Sequence, residues 1–266
     1  MTAEEVAAEA EVLLQAELSG RQRGLISLAH PKAGLDEAYA IQAAYVAKRR
    51  AMGRRGIGWK IGLTSRAMQM ALNITTPDSG MLLDEMLFQD GATVPKSRFI
   101  QPRIEAEIAF VMKAPLMGAE VSRADVLAAT EWVVPSLEVL DTRVLRADPA
   151  TGKARTIFDT ISDNAANAGI VLGAQRHAPD AHDLRWTGAI LKRDGVVEET
   201  GLGAGVLDDP ATGILWLVHR LAHYGQGIAA GDIVLSGSFI RPVEAPPGSR
   251  FEADFGQFGS VSLSFA

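Results

Sequence analysis

The stretch Arg103-Ile104-Glu105-Ala106-Glu107-Ile108-Ala109-Phe110 alternates apolar and polar side chains with a period of two over most of its length. That is the period of a β-strand, in which alternate residues share a face. Ile104, Ala106, Ile108 and Phe110 then look one way. Glu105 and Glu107 look the other, with Cα atoms about 6–7 Å apart. Taken alone, the pattern describes a half-buried strand with a wet outer face. The run Val133-Val134-Pro135-Ser136-Leu137-Glu138-Val139-Leu140 sharpens the question, because one Glu interrupts an almost continuous apolar segment. Strands of that texture are covered on both faces. A lone carboxylate there must be neutral, paired or bound to a cation, since burying it bare costs too much. An arginine partner, or a place at a wet strand end, would also satisfy Glu138.

Brought together, Glu105, Glu107 and Glu138 would form a cluster of carboxylates that repel one another unless a divalent cation joins them. The chain has no Cys and no obvious His set. All-oxygen ligation of this kind favours Mg2+ or Mn2+ over Zn2+. An octahedral ion held by these carboxylates, one oxygen each, keeps open positions. The carboxylate and C2 oxygens of a 2-oxo or 2-hydroxy-enoic acid can fill two of them. A third run, Gly56-Ile57-Gly58-Trp59-Lys60-Ile61-Gly62-Leu63-Thr64-Ser65, sets Lys60 in apolar, Gly-rich surroundings. Desolvation there pushes a lysine pKa down, which suits proton transfer, whereas nearby carboxylates or a bound anion push it back up. A snorkelling lysine on an edge strand is the plainer alternative.

Composition bounds the rest. The chain has 266 residues, with 26 Lys and Arg against 32 Asp and Glu, a formal net charge of −6. That length holds one or two domains. It can bury enough surface to fold without disulfides or a structural metal. The negative balance gives no global electrostatic support for nucleic acid or an anionic membrane as partner. The 47% hydrophobic content excludes disorder. Without Cys there is neither a disulfide framework nor a thiol nucleophile. The N-terminus MTAEEVAAEAEVLLQAELSG is acidic and lacks a basic segment leading into an apolar one, so a cytoplasmic chain without a signal peptide is expected. No apolar run approaches the ~20 residues of a membrane span.

Residues 3–18 and 35–52 read as helices, rich in Ala, Leu, Glu and Gln. From Gly56 the texture changes to short β-like runs: Ile57–Leu63, Arg103–Met112, Trp132–Leu140, Gly169–Leu172, Ala189–Lys192, Ile233–Leu235, Phe251–Phe255 and Val261–Phe265. Asp194-Gly195 is a hairpin signal. Two helices interrupt the strands. One has Ser122 as N-cap with Asp125 three residues on. The other has Asp209 as N-cap, Pro210 in the first position and Gly225 as stop, with Ile214, Leu217, Val218 and Leu221 as core face. The strands do not alternate regularly with helices, which argues against a doubly wound fold or an eight-fold α/β barrel. No internal repeat or low-complexity tract is present.

Weaker motifs are set aside. Gly201-Leu202-Gly203-Ala204-Gly205-Val206 lacks the last glycine of a dinucleotide loop and leads into Asp208-Asp209, which would repel phosphate. His219 and His223 have zinc-pair spacing, but Arg220 stands where a metalloprotease needs Glu. Gly-x-Ser-x-Gly does not occur, and Ser236-Gly237-Ser238 has no assignable triad partners.

Four separated blocks carry a family resemblance. They are Gly58-Trp59-Lys60-Ile61-Gly62-Leu63-Thr64-Ser65, Pro102-Arg103-Ile104-Glu105-Ala106-Glu107-Ile108-Ala109-Phe110, Pro135-Ser136-Leu137-Glu138 and Gly231-Asp232-Ile233-Val234-Leu235-Ser236-Gly237-Ser238. Together they resemble the hydratase/decarboxylase branch of the fumarylacetoacetase superfamily over nearly the whole chain. Within it, Leu140–Arg143 followed by Asp148–Asn167 is similar to hydratases of a seven-carbon 2-oxo-enedioate from bacterial aromatic catabolism (the homoprotocatechuate pathway). The fold implied is α+β: a large mixed β-sheet roll, residues 56–266, behind a small helical N-terminal region, residues 1–55. The resemblance implies Mg2+, or Mn2+, on Glu105, Glu107 and Glu138. It implies Lys60 and Asp78 as catalytic groups and Ser238 as a substrate contact. Arg143 and Arg155 flank the substrate-specific segment and are candidates for the distal carboxylate. The implied partners are a small 2-oxo or 2-hydroxy-enoic dioate and further copies of the chain in a large homo-oligomer, a decamer or pentamer. Nucleic acid and membrane are not expected.

The same branch contains 2-hydroxypenta-2,4-dienoate hydratases, 4-oxalocrotonate decarboxylases and the hydratase partners that associate with them, so a non-catalytic partner subunit is a third reading. The superfamily's hydrolases activate water with a His–Glu pair, and between His30 and His177 this chain has no histidine. The Ser65–Leu72 segment after the Lys60 strand therefore offers no histidine base.

Overall fold

The period-two run becomes β3 (Arg103–Met112), a central strand of an eight-stranded mixed sheet in the computed structural model, which describes residues 1–71 and 74–266. Its antiparallel neighbour β4 (Thr130–Leu140) sets Glu138 opposite Glu105 and Ser136 opposite Glu107. On the other side, β8 (Ile233–Ser238) brings Ser238 opposite Glu107. β1 (Gly56–Gly62) lies parallel to β8 with Lys60 opposite Leu235. β2 (Asp78–Leu83) closes that edge antiparallel to β1, with Asp78 opposite Gly62. β5 (Asn167–Leu172) pairs with the far side of β4. The short strand Leu87–Phe88 ends the sheet beyond β5, and Val243–Glu244 pairs with the start of β3.

A second, five-stranded sheet packs against the first. It contains β6 (Gly188–Arg193), β7 (Val196–Leu202), β9 (Arg250–Asp254), β10 (Ser260–Phe265) and the short Thr93–Val94. The β6–β7 hairpin turns at Asp194 (φ 53°) and Gly195 (φ 82°), the left-handed pair that a tight two-residue turn requires. Ile104, Ile108, Phe110, Leu137 and Val139 from the first sheet meet Leu191, Phe251 and Leu263 from the second in one buried cluster. Full burial of each such side chain is worth about 1.5–3 kcal/mol.

Helices complete the layers. α1 (Ala3–Ser19) and α2 (Leu35–Ala51) form the N-terminal region. α3 (Arg123–Ala129) starts with a capping box in which the Ser122 backbone N–H donates to Asp125 at 2.8 Å. α5 (Pro210–His223) is capped by Asp209, which accepts from the Ala211 N–H at 2.9 Å. It buries Ile214, Leu217, Val218 and Leu221 in the main cluster. A separate cluster joins Leu13, Leu14, Ile41 and Tyr45 of the N-terminal helices to Leu83 of β2 and to Phe158 and Ile161 of α4 (Ile157–Ser162). The helical region thus braces two of the elements that surround the cavity described below.

Among the elements that escape the sequence expectations, β2, α4 and the short helix Arg66–Ala71 lie nearest the cavity. Asp78, which a turn after Pro77 would also explain, is the first residue of β2. α4 is too short to show a helical period. Its only local signal is Thr156 followed three residues on by Asp159, and that capping pair does form, with the Thr156 N–H donating to Asp159 at 2.8 Å. Leu72, the end of the Ser65–Leu72 segment, lies outside the described residues, as does Asn73. Among the described residues, no helix is long and apolar enough to cross a membrane.

Candidate active site

The carboxylates of Glu105, Glu107 and Glu138 each offer one oxygen within 4.8 Å of the others. Register explains this. Glu105 and Glu138 are directly opposed on β3 and β4, and Glu107 lies two residues along the same face of β3. The wet-face reading of β3 does not hold, because Glu107 and Glu138 are fully buried and Glu105 is half-buried. The rest of that face is apolar, with Ala109, Val134, Ile170 and Leu235 packed together.

Glu107 Oε2 accepts the Gly237 N–H at 2.9 Å. Gly237 is held at φ 122°, and a Cβ there would come within 2.2 Å of the Thr64 hydroxyl oxygen, so glycine is required to aim that N–H. Glu107 Oε1 and both oxygens of Glu138 are buried without a hydrogen-bond partner among the described residues. Lys60 Nζ lies 3.3 Å from Glu138 Oε1 as an ion pair, outside hydrogen-bonding geometry. Burial first, and then Glu138, pushes Glu105 up to about 8. The same pair of causes drives Glu107 well above the carboxylate range. Bare buried acceptors are costly. A hard divalent cation is a partner of the right charge and donor preference, so the residues fit one.

Lys60 is buried beside this cluster. Desolvation alone would lower its pKa. Glu138, followed by Asp78, Glu105 and Glu107, outweighs that and raises it. The carboxylates therefore win over the apolar strand that first marked this lysine. Asp78 is buried, with Oδ1 unpartnered, and burial raises its pKa while Lys60 opposes the rise. Room for both groups comes from Gly62. A Cβ there would stand 2.2 Å from Asp78 Oδ1 and 3.1 Å from Lys60 Nζ.

Above lies a cavity of about 610 Å3, lined by Lys60, Asp78, Glu105 and Ser238 among others. Ser238 borders it, but its hydroxyl donates to the Ile240 carbonyl at 2.8 Å. Three consecutive residues, Asn164, Ala165 and Ala166, have φ of 50°, 54° and 58°, and Ala165 and Ala166 form part of the wall. Left-handed backbone at non-glycine positions costs roughly 1–3 kcal/mol each. Asn164 helps to hold the turn in place: its side-chain amide accepts from the Met81 N–H at 2.8 Å and donates to the Met81 carbonyl at 2.9 Å.

Of the two arginines singled out from sequence, only Arg155 lines the cavity. Arg143 needs correction. It is buried and spent on Asp163, on the Asp163 carbonyl and on the Asn167 carbonyl at 3.1 Å, with Tyr45 stacked at 5.7 Å. Those contacts leave it a structural strut and keep it off the cavity wall. Arg103 and Arg146 do line the cavity, together with Ile157 and Thr160 of α4. Arg103 was legible as the next residue on the Glu105–Glu107 face of the strand. Arg146 had no local signal. His30 bonds Glu9 at 2.8 Å in the helical region and is not part of the cavity wall.

Comparison with known proteins places this geometry in a class. Residues 38–265 match the family model described as fumarylacetoacetate (FAA) hydrolase C-terminal, and the chain belongs to that family. It is 50% identical over 256 residues to the 2-oxo-hept-4-ene-1,7-dioate hydratase of Escherichia coli, covering 96% of each chain. It is 38% identical to the 2-hydroxyhexa-2,4-dienoate hydratase of Comamonas testosteroni, covering 95% of this chain and 94% of that one. Among solved structures, the 4-oxalocrotonate decarboxylase of Pseudomonas putida G7, complexed with magnesium and adipate, superposes with a TM-score of 0.93 at 33% identity. The match covers 100% of this chain and 99% of that one.

Proposed function

We propose that this chain is a divalent-cation-dependent hydro-lyase that adds water to 2-oxo-hept-4-ene-1,7-dioate, giving 4-hydroxy-2-oxoheptane-1,7-dioate. The observation that carries the reading is the glutamate cluster, with buried oxygens lacking partners, beneath a cavity walled by Lys60 and Asp78. The similarity to the Escherichia coli hydratase supplies the substrate. Glu105, Glu107 and Glu138 would hold the cation, Mg2+ by preference and Mn2+ next. The related decarboxylase has been solved with magnesium and with calcium, which supports a hard divalent ion. Such an ion supplies Lewis-acid polarisation of the C2 oxygen of a 2-oxo acid.

The chain's own groups then handle protons. Loss of a C3 proton gives the dienolate, the conjugate base of the 2-hydroxy-2,4-diene, and protonation of that dienolate at C5 gives the conjugated 2-oxo-3-ene. Water adds at C4, its hydroxyl bonding to carbon and a proton returning to C3. Lys60, held charged by its carboxylate neighbours, is the first candidate to carry the proton to C5. Asp78, whose Oδ1 lacks a partner, is the candidate base for water or the group that orients Lys60. Ser238 contributes at the rim.

Assembly into a homo-oligomer belongs to the same proposal. Val196 and Val197 on the edge strand β7, with Ile190 on β6 and nearby Trp186, are exposed apolar side chains of the kind that subunit contacts cover. Light scattering on the purified chain gives the copy number.

The test of the reaction is product analysis with purified chain and Mg2+. The 4-hydroxy-2-oxo dioate is expected, without carbon dioxide. Exhaustive EDTA should abolish turnover and Mg2+ should restore it. Carbon dioxide release instead would favour the decarboxylase reading. Full activity after EDTA would end the metal assignment.

A further inference from the structure

One end of the cavity is positively charged. Arg103, Arg146 and Arg155 all line it. Arg146 and Arg155 stand side by side on a small hairpin: the Arg155 N–H donates to the Arg146 carbonyl at 2.9 Å, and Ala147 pairs with Ala154. The hairpin tip is fixed by Asp148, which accepts the Thr151 N–H at 2.8 Å.

The three guanidinium groups are not equally committed. Glu244 Oε1 pairs with Arg103 at 3.0 Å and also with Arg146. Arg155 forms no salt bridge among the described residues, and its Nη1 is buried without a hydrogen-bond partner. The nearby carboxylates are already engaged. Asp163 serves Arg143, and Asp159 serves Ser27 and Thr156. A half-buried cation with an orphaned donor, beside two more cations sharing one exposed carboxylate, is a site short of negative charge.

Spacing says what would supply it. Arg103, Glu105 and Glu107 lie on one face of β3, so Arg103 stands one strand repeat before Glu105, about 6.5–7 Å away. Six carbon–carbon bonds of an extended chain, at the rise per bond of an extended backbone, also span about 7 Å. A dioate with its 2-oxo acid head at the glutamates is therefore long enough to reach toward Arg103, and Arg146 and Arg155 line the same cavity. A five-carbon monoacid brings no charge there.

We infer that Arg155 and Arg146, presented together by the 146–155 hairpin, bind the far carboxylate of a seven-carbon dioate, and that Glu244 is the counter-ion that holds Arg146 in position until the substrate supplies its own. The inference rests on the 2-oxo acid reading of the glutamate cluster. It assigns chain-length selection to a surface hairpin and to Glu244, neither of which touches the reacting carbons.

The experiment measures binding, so that it does not depend on turnover. Calorimetry of the Mg2+-loaded full chain compares 2-oxoheptanedioate with 2-oxopentanoate. The wild-type chain should prefer the dioate by at least about 10-fold, the worth of a charge-assisted pair in a partly desolvated site. Arg155→Ala and Arg146→Ala should each cut that preference at least about 5-fold, and Arg155→Lys by less, because it keeps the charge and loses the fork. Glu244→Gln should raise dioate affinity about 2–5-fold by removing the competing carboxylate. A preference unchanged in both alanine variants, or absent from the wild type, overturns the inference. A chain that prefers the dioate yet forms no hydrated product would end the hydratase reading and leave the subsite standing.

Discussion

Two buried charged clusters lie close together in this protein, and they are built on opposite principles. In the first, Arg143 meets Asp163 and two backbone carbonyls, and Asp163 also accepts the Arg143 N–H at 2.9 Å. Nearby Asp141 accepts the Ile100 and Gln101 N–H groups at 2.7 Å each. In the second, the ammonium of Lys60 pairs with Glu138, and three glutamate oxygens have no hydrogen-bond partner among the described residues. A saturated cluster fixes the backbone around it. An unsaturated cluster is incomplete without a ligand, because each bare buried acceptor costs free energy that the fold alone does not return. Satisfaction, more than charge or burial, separates the strut from the site.

The comparison can be broken first at the strut. Arg143→Ala leaves Asp163 buried and unpaired, and loss of one partner of a buried pair costs about 3–5 kcal/mol. Thermal or urea unfolding should show that loss, while the dioate-to-monoacid binding ratio of whatever folds stays at the wild-type value. A changed ratio with unchanged stability would return Arg143 to the cavity.

The site should behave in the opposite way. Glu107→Gln removes a charge from an over-charged cluster, so the metal-free protein should unfold no earlier than wild type, whereas Glu138→Gln also strips buried Lys60 of its ion pair and should cost some stability. Activity should fall about 10–100-fold through weaker metal binding. Calorimetric Mg2+ titration, read beside the melting curves, checks both halves. Strong destabilisation with intact Mg2+ affinity would show that these carboxylates are struts too.

The smallest effect is in pH. With Glu105 pushed up to about 8, the metal-free cluster keeps a proton below that pH, and a cation must expel it. Mg2+ affinity should therefore fall as pH drops below about 8, by up to roughly tenfold per unit for one released proton. Above it, affinity should level off. Titrations in buffers of different ionisation enthalpy count the protons, and a flat profile between pH 6 and 8 would refute a protonated cluster.

Much of the frame was legible in the chain. The alternation at 103–110 and the interrupted apolar run at 133–140 marked β3, β4 and the glutamates, because strand geometry fixes which side chains share a face. Ser122, Asp209 and Asp194-Gly195 marked caps and a turn, since these depend only on nearest neighbours. A family block carried Lys60, and the resemblance as a whole implied Asp78, which the structure sets beside it.

Tertiary structure alone decided the rest. Whether Glu105 faces Glu138 or slips by one residue is a matter of register between segments that are distant in sequence, and a slip of one turns every side chain to the other face. Arg143 and Arg155 are equivalent in sequence: both are arginines flanking one segment. What separates them is Asp163, which folds against the first and leaves the second facing the cavity without an ion pair among the described residues. Local sequence fixes the periodicity of backbone and caps, because those forces act over a few residues. The partner of a buried charge is fixed only when the whole chain has closed around it, and in this protein that choice separates the arginine that holds the fold from the arginine open to a ligand.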